Sequence, residues 1–245
     1  AAEVDLPLAG AERLLAAAAA LRIVEPRSGG RYGLGNLGAV LASSPGIRAM
    51  VEHHPLLYAD LQDPLALLRD HGEDGAGTAL GRYWAYAGTD RPDALQSEQV
   101  GPYSELMAAS LPMVATEVLD AYSLRRHRRL LFRDTLPGDA DLVTLVRILL
   151  DHDDAAVLML LRNLWRAMAP GATLLIAEVL SDSPGVERVG DAYFGIYLFA
   201  MGRGRPRSAA EIEGLLEQAG FVGVRLLPGC QPIHARVLIA QRPPA

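Results

Sequence analysis

From Asp141 to Leu150 the chain reads Asp-Leu-Val-Thr-Leu-Val-Arg-Ile-Leu-Leu, an apolar run with too few polar positions to show one face to water. Such a run predicts a strand buried on both faces, as in a sheet covered by helices. Thr173 to Leu180 repeats the pattern. Between the two, Asp154 to Met168 has helical periodicity and stops at Pro170-Gly171. Ser208 to Gly220 predicts a helix capped by Ser208 with Glu211 at the third following position. Val222 to Leu227 and Ala235 to Gln241 predict two closing strands. Strands alternating with helices predict an α/β domain with a largely parallel sheet, residues 123–245.

The first half has a different texture. Ala11 to Leu21 is an alanine-rich helix pattern, followed by Ile23-Val24, a Ser28-Gly29-Gly30 turn and Arg31-Tyr32. Helix, strand, glycine turn and strand predict the end of a winged helix-turn-helix. The two helices that precede such a unit are not in the sequence, so the chain is expected to begin partway through a module. Met50 to Leu68 carries apolar positions at helical spacing, broken by Pro55 and Pro64, and Leu106 to Tyr122 predicts a long helix. Residues 1–122 are expected to form a helical domain of their own.

Composition narrows the classes of function. Half of the 245 residues are hydrophobic and 21% are charged, which favours a packed core over disorder. Leu14 to Leu21 and Ala155 to Leu161, the longest apolar stretches, fall far short of a membrane span. The N-terminus has no basic signal-peptide start, and a cytoplasmic protein is the expectation. The single Cys230 excludes a disulfide framework and a thiolate zinc cluster. All 23 basic residues are arginine, which excludes Schiff-base lysines and the phosphate-loop lysine. A net charge of -6 argues against general nucleic-acid binding.

Few local patterns carry chemistry. Gly33-Leu-Gly-Asn-Leu-Gly38 has G-x-G-x-x-G spacing, yet it follows a glycine hairpin instead of a buried strand and reads as the exit of the wing. His53 and His54 would point about 100° apart on a helix, so a metal shared with Asp60 is not expected. The Arg125 to Arg129 run reads as a solvated loop or helix end. Leu150-Asp-His-Asp-Asp154 stands where a buried parallel strand leaves the sheet, the edge at which open α/β sheets place ligands. His152 could accept a proton there near neutral pH, while Asp153 or Asp154 would cap the next helix. Glu178, a carboxylate inside an apolar strand, is a second candidate.

Taken in order and spacing, Tyr103-Ser-Glu-Leu-Met107, the Asp141 strand, Leu150-Asp-His-Asp-Asp154, the Glu178 strand and Arg205-Pro-Arg-Ser208 resemble the plant-type S-adenosylmethionine-dependent O-methyltransferases. Met50-Val-Glu-His-His-Pro-Leu-Leu-Tyr-Ala-Asp-Leu61 and Gly190-Asp-Ala-Tyr-Phe-Gly-Ile-Tyr-Leu-Phe-Ala-Met-Gly202 resemble that family's carotenoid branch in purple bacteria. The resemblance covers nearly the whole chain. It implies a winged-helix dimerisation domain coupled to a Rossmann-like domain, a homodimer, and S-adenosylmethionine as cofactor. It also implies a 1-hydroxy carotenoid as acceptor, reached by peripheral contact with the inner or photosynthetic membrane. By position, it places Tyr103 and Met107 in the reaction chamber, Leu131 at the cofactor's adenine, and Arg147 near the cofactor. Glu178 then flanks the catalytic base, and Tyr197 and Met201 shape the acceptor pocket.

The resemblance breaks at three places. The family's catalytic histidine falls at Leu150, leaving His152, two residues on, as the expected substitute base. The second flanking glutamate falls at Pro206. The family's first strand, its glycine-rich cofactor loop, its ribose-binding acid and the next strand would fall between Leu130 and Leu131, where a missing segment is therefore expected. The expected reaction is methyl transfer to a hydroxyl of an apolar acceptor, with a polyketide or tetrapyrrole scaffold as the alternative. A winged-helix regulator with a ligand-sensing α/β domain is the alternative of another class, opposed by the few basic residues near the wing.

Overall fold

The structure is a computed structural model that describes residues 5–69, 77–85, 95–127, 130–131, 140–229 and 231–244. The chain forms two compact units, 1–53 and 54–245.

In the first unit, α1 (Leu8–Ala20) leads into β1 (Val24–Arg27) and β2 (Arg31–Leu34), followed by α2 (Asn36–Ser43) and α3 (Pro45–Glu52). The two strands form the expected hairpin, paired antiparallel from Val24↔Leu34 to Arg27↔Arg31. The glycine spacing has a packing origin. A Cβ on Gly38 would lie 1.9 Å from the Ile23 carbonyl oxygen, and one on Gly35 would lie 2.4 Å from that of Arg22. These glycines let α2 sit directly on the backbone that enters the hairpin. The unit buries little apolar surface: Leu8, Leu14, Leu21, Leu34, Leu37, Val40 and Val51 are all exposed.

The second unit opens with α4 (His54–Asp60), α5 (Pro64–Arg69), α6 (Ala79–Tyr83) and α7 (Ser97–Ala121). The expected breaks at Pro55 and Pro64 fall in the first turns of α4 and α5, where a missing N–H does no harm. Next come β3 (Leu130–Leu131), β4 (Leu142–Val146), α8 (Asp154–Ala167) and β5 (Thr173–Glu178). A π-helical stretch, Arg188–Tyr193, runs into α9 (Phe194–Met201), and α10 (Ala209–Ala219), β6 (Val222–Leu226) and β7 (Arg236–Gln241) complete the unit. Ser208 and Glu211 form both halves of the capping box at the start of α10. Sequence texture puts a boundary at residue 122, whereas the compact units divide after His53: α4 and α6 pack on α9, and α7 packs on β7.

The sheet order is β3-β4-β5-β7-β6. β3, β4 and β5 run parallel, while β7 is antiparallel to both β5 and β6. The sheet is thus mixed where a largely parallel one was expected. A short connection joins β6 to β7, and such a link can only return the chain antiparallel. Leu174 and Ile176 pack with α8 and α10 on one face, and Leu175 and Ala177 pack with Val114 and Val118 of α7 on the other. All six residues of β5 are buried, which explains its unbroken apolar sequence.

One expectation about this region changes. The strand expected from Asp141 to Leu150 ends at Val146, and Leu149–Asp151 forms a 3-10 turn instead. Arg147 takes φ = +54°, a left-handed conformation that ends the extended run. Leu130 and Leu131 form the edge strand β3 and pair with Leu142 and Val143. The link 132–141 is shorter than the roughly a dozen residues that a parallel crossover uses.

Candidate functional site

Residues 147–154 leave the C-terminal edge of the sheet as a turn held from two sides. From within, Glu178 at the end of β5 accepts the backbone N–H of Ile148 at 2.8 Å and of Leu149 at 2.7 Å, both through Oε1. From the other side, Arg207, only 2% exposed, donates to the carbonyls of Leu149 at 2.7 Å and His152 at 2.6 Å. Its Nε donates to Asp154 Oδ1 at 2.8 Å. Arg205 donates to the other Asp154 oxygen at 2.9 Å and to Glu211 at 2.8 Å, tying the turn to the cap of α10. Gly204 approaches from the same side, with φ = +80° and a hypothetical Cβ 2.1 Å from the Leu150 carbonyl oxygen. Only glycine fits there.

On the inner side of the turn stands a cluster of apolar and aromatic side chains. Leu150, Trp84, Tyr197, Leu198 and Met201 are buried in it, with Tyr103, Tyr193 and Phe194 packed against them. The Trp84 and Tyr103 rings lie 4.0 Å apart, and those of Tyr193 and Tyr197 lie 5.7 Å apart. His54 stacks on Tyr193 and shares a 2.9 Å hydrogen bond with its hydroxyl. Tyr103, Met107 and Ser110 recur at helical spacing on α7. Ser110 is buried and its hydroxyl accepts a 2.9 Å hydrogen bond from Arg147, which places this face of α7 over the end of β4.

The charged groups here are strongly perturbed. Burial pushes the Glu178 carboxyl up to about 7, against the two backbone N–H donors and the charges of Arg207 and Arg147, which favour ionisation. Its second oxygen, Oε2, is buried with no hydrogen-bond partner among the described residues. Burial and the Glu178 charge raise Asp151 well above the usual carboxylate range, with Arg147 opposing. Burial lowers Arg147, while Glu178, Tyr103 and Asp151 pull it back up. Burial pushes the Tyr193 hydroxyl up to about 12 and raises Tyr197 further. His152 lies on the exposed side of the turn, its pKa lowered by partial desolvation and by Arg203 and Arg207.

Of the residues singled out in the sequence, the structure brings Glu178, Arg147, Tyr103, Tyr197 and Met201 around the buried Leu150 and places Met107 on the same face of α7. It leaves the His152 ring exposed, and the side chain of Leu131 lies outside the described residues, as do Arg128, Arg129 and Cys230. Asp60 accepts the N–H groups of Ala79 and Leu80 and so caps α6. Asp151, Ser110, Trp84 and the anchoring role of Arg207 were not anticipated. For Asp151 and Arg207 the signal was present, since each lies inside a motif already marked. For Ser110 and Trp84 no local pattern distinguishes a site residue from a core residue.

Residues 102–222 match the O-methyltransferase domain family. The chain is 32% identical to demethylspheroidene O-methyltransferase of Cereibacter sphaeroides, over 94% of this chain and 74% of that protein. It is 33% identical to the enzyme of the same name from Rhodobacter capsulatus, over 94% of this chain and 69% of that one. The alignment with the first relative runs over 284 positions, longer than this whole chain of 245, so that relative carries interior residues with no counterpart here. Human N-acetylserotonin methyltransferase, solved with S-adenosylmethionine, shares the fold with a TM-score of 0.73 at 17% identity, over 99% of this chain and 85% of that one.

Proposed function

Because the chain belongs to the plant-type O-methyltransferase family, whose members use S-adenosylmethionine as methyl donor, we propose that it methylates the hydroxyl of an apolar acceptor, a 1-hydroxy carotenoid. The observation that carries this reading is Leu150, buried in the aromatic cluster, at the position where the resemblance puts the family's base. A leucine cannot deprotonate a phenol. A tertiary alcohol is hardly acidic and gains nothing from a strong base acting before transfer, so alignment and desolvation come first and the proton need leave only late. Holding the reacting atoms in line against the cluster of Trp84, Tyr103, Tyr193 and Tyr197 can supply several kcal/mol of the barrier. The aromatic walls also suit the flat, apolar body of a polyene.

The glycine-rich turn and the ribose-binding acid implied for the donor have no counterpart in the sequence, and β3 is a two-residue edge strand. The described residues therefore supply the acceptor side of the site and not a cradle for the donor's nucleoside.

The working form we infer is a homodimer, in which a second copy covers the exposed apolar positions of residues 1–53, and in which residues 1–122 act as a winged-helix and helical cap. Among the described residues no helix is long and apolar enough to cross a membrane. An acceptor that dissolves in lipid would then be taken at the membrane surface. The test offers the protein a 1-hydroxy polyene and a simple phenol with a labelled methyl donor. Methylation of the polyene alone is expected, and preference for the phenol would overturn the reading.

A further inference from the structure

Asp151 is the one acidic residue of the Leu150–Asp154 segment that is not used to hold the segment in place. Asp154 receives Arg205 and Arg207, and Asp153 accepts the N–H of Gly204 at 3.4 Å. The Asp151 carboxylate makes no hydrogen bond to another described residue. Its electrostatic neighbours come from four elements: Arg147 at the end of β4, Glu178 at the end of β5, Tyr197 on α9 and, through Arg147, Tyr103 on α7. Asp151 thus lies within electrostatic reach of the buried ion cluster and of Tyr197 in the aromatic cluster, next in sequence to the buried Leu150.

The backbone holds it there. Gly204 would place a Cβ 2.9 Å from the Asp151 Cα, so the two segments touch main chain to main chain. Glu178 fixes the peptide N–H groups before Asp151, and Arg207 fixes the carbonyls on either side of it. The left-handed Arg147 precedes the turn, and strained non-glycine backbone persists only where surrounding contacts enforce it.

From this arrangement we propose that Asp151, with Glu178 behind it, accepts the proton of the acceptor hydroxyl, in place of the base that Leu150 cannot be. The proposal rests on the methyl-transfer reading above. As a lone pair on the hydroxyl oxygen forms the new bond to the methyl carbon, the bond from that carbon to the donor's sulfonium sulfur breaks and its electron pair leaves on the now neutral thioether. The O–H bond breaks, its pair stays on oxygen, and the proton passes to the carboxylate, which becomes a neutral acid. The proton leaves an oxygen already made electron-poor, so a carboxylate is base enough to take it. Burial of both carboxyls, and the charge of one on the other, makes the pair hold a proton more readily than an exposed carboxylate would.

Two measurements test this. In carboxyl-labelled protein, the Asp151 resonance is expected to titrate above the ordinary carboxylate range and to fall in Glu178→Gln; an ordinary titration overturns the coupled pair. In turnover with the 1-hydroxy polyene, Asp151→Asn is expected to lower kcat by roughly 10²-fold with little change in KM, and to abolish the rise of kcat with pH. Near-normal turnover in Asp151→Asn, or a comparable loss in His152→Gln instead, overturns the assignment. Failure of the unaltered protein to methylate any hydroxylated polyene, with the elevated Asp151 titration intact, overturns the function reading and the proton-acceptor role with it.

Discussion

Glu178 and Leu149 are joined by a 2.7 Å hydrogen bond from the Leu149 N–H to a carboxylate that sits at the end of the neighbouring strand. One side chain therefore both shapes the turn that carries Leu150 and Asp151 and contributes the charge beneath it.

A measurable pH dependence follows. Burial raises the folded-state pKa of Glu178 to about 7 from the ordinary 4.5. Between those values the folded state binds more protons than the unfolded state, so stability is expected to fall as pH rises from about 4.5 to about 7, by about 3 kcal/mol. Glu178→Gln keeps an acceptor for the two N–H groups and removes the charge. Urea unfolding across this range should show a flatter profile for the variant, and an unchanged slope would show that Glu178 is not the group responsible.

Arg207 is expected to be the most sensitive residue of the turn. It is buried and satisfies the carbonyls of Leu149 and His152 together with Asp154. Arg207→Met leaves these acceptors without their donor and should destabilise the protein by about 3 kcal/mol or more. Arg207→Lys should recover little of this, since one ammonium cannot reach three fixed acceptors as a planar guanidinium does. Denaturant midpoints for the two variants decide the point.

Residues 1–53 expose Leu8, Leu14, Leu21 and Leu37, too much apolar surface to leave in water. Light scattering of the protein is expected to report twice the chain mass. Charged substitutions at Leu14 and Leu37 should shift it towards the monomer, and a monomeric unaltered protein would remove the dimer.

Donor binding addresses the junction at Leu130 and Leu131. A chain carrying there the corresponding interval of the Cereibacter sphaeroides relative is expected to bind S-adenosylmethionine at least about tenfold tighter than the 245-residue chain, a gain of about 1.4 kcal/mol. Equal affinities in calorimetry would show that the residues present already suffice.

What the sequence determined by itself was local. The run in β5, the prolines that open α4 and α5, and the Ser208–Glu211 capping box act over a few neighbouring residues, so their signals survive without the rest of the fold. The same locality explains the overextended β4. Ile148, Leu149 and Leu150 are apolar like a strand, yet Leu149 serves the core beneath α8 and Leu150 the aromatic chamber. Periodicity cannot tell such residues from strand residues. Tertiary structure alone decided that Arg147 is left-handed, that Arg207 is buried as an anchor, and that Asp151 comes within electrostatic reach of Glu178 while the neighbouring His152 is exposed. Each depends on groups distant along the chain, through hydrogen bonds, desolvation and charge that exist only once the strands, α7 and the Gly204 segment have closed around the turn.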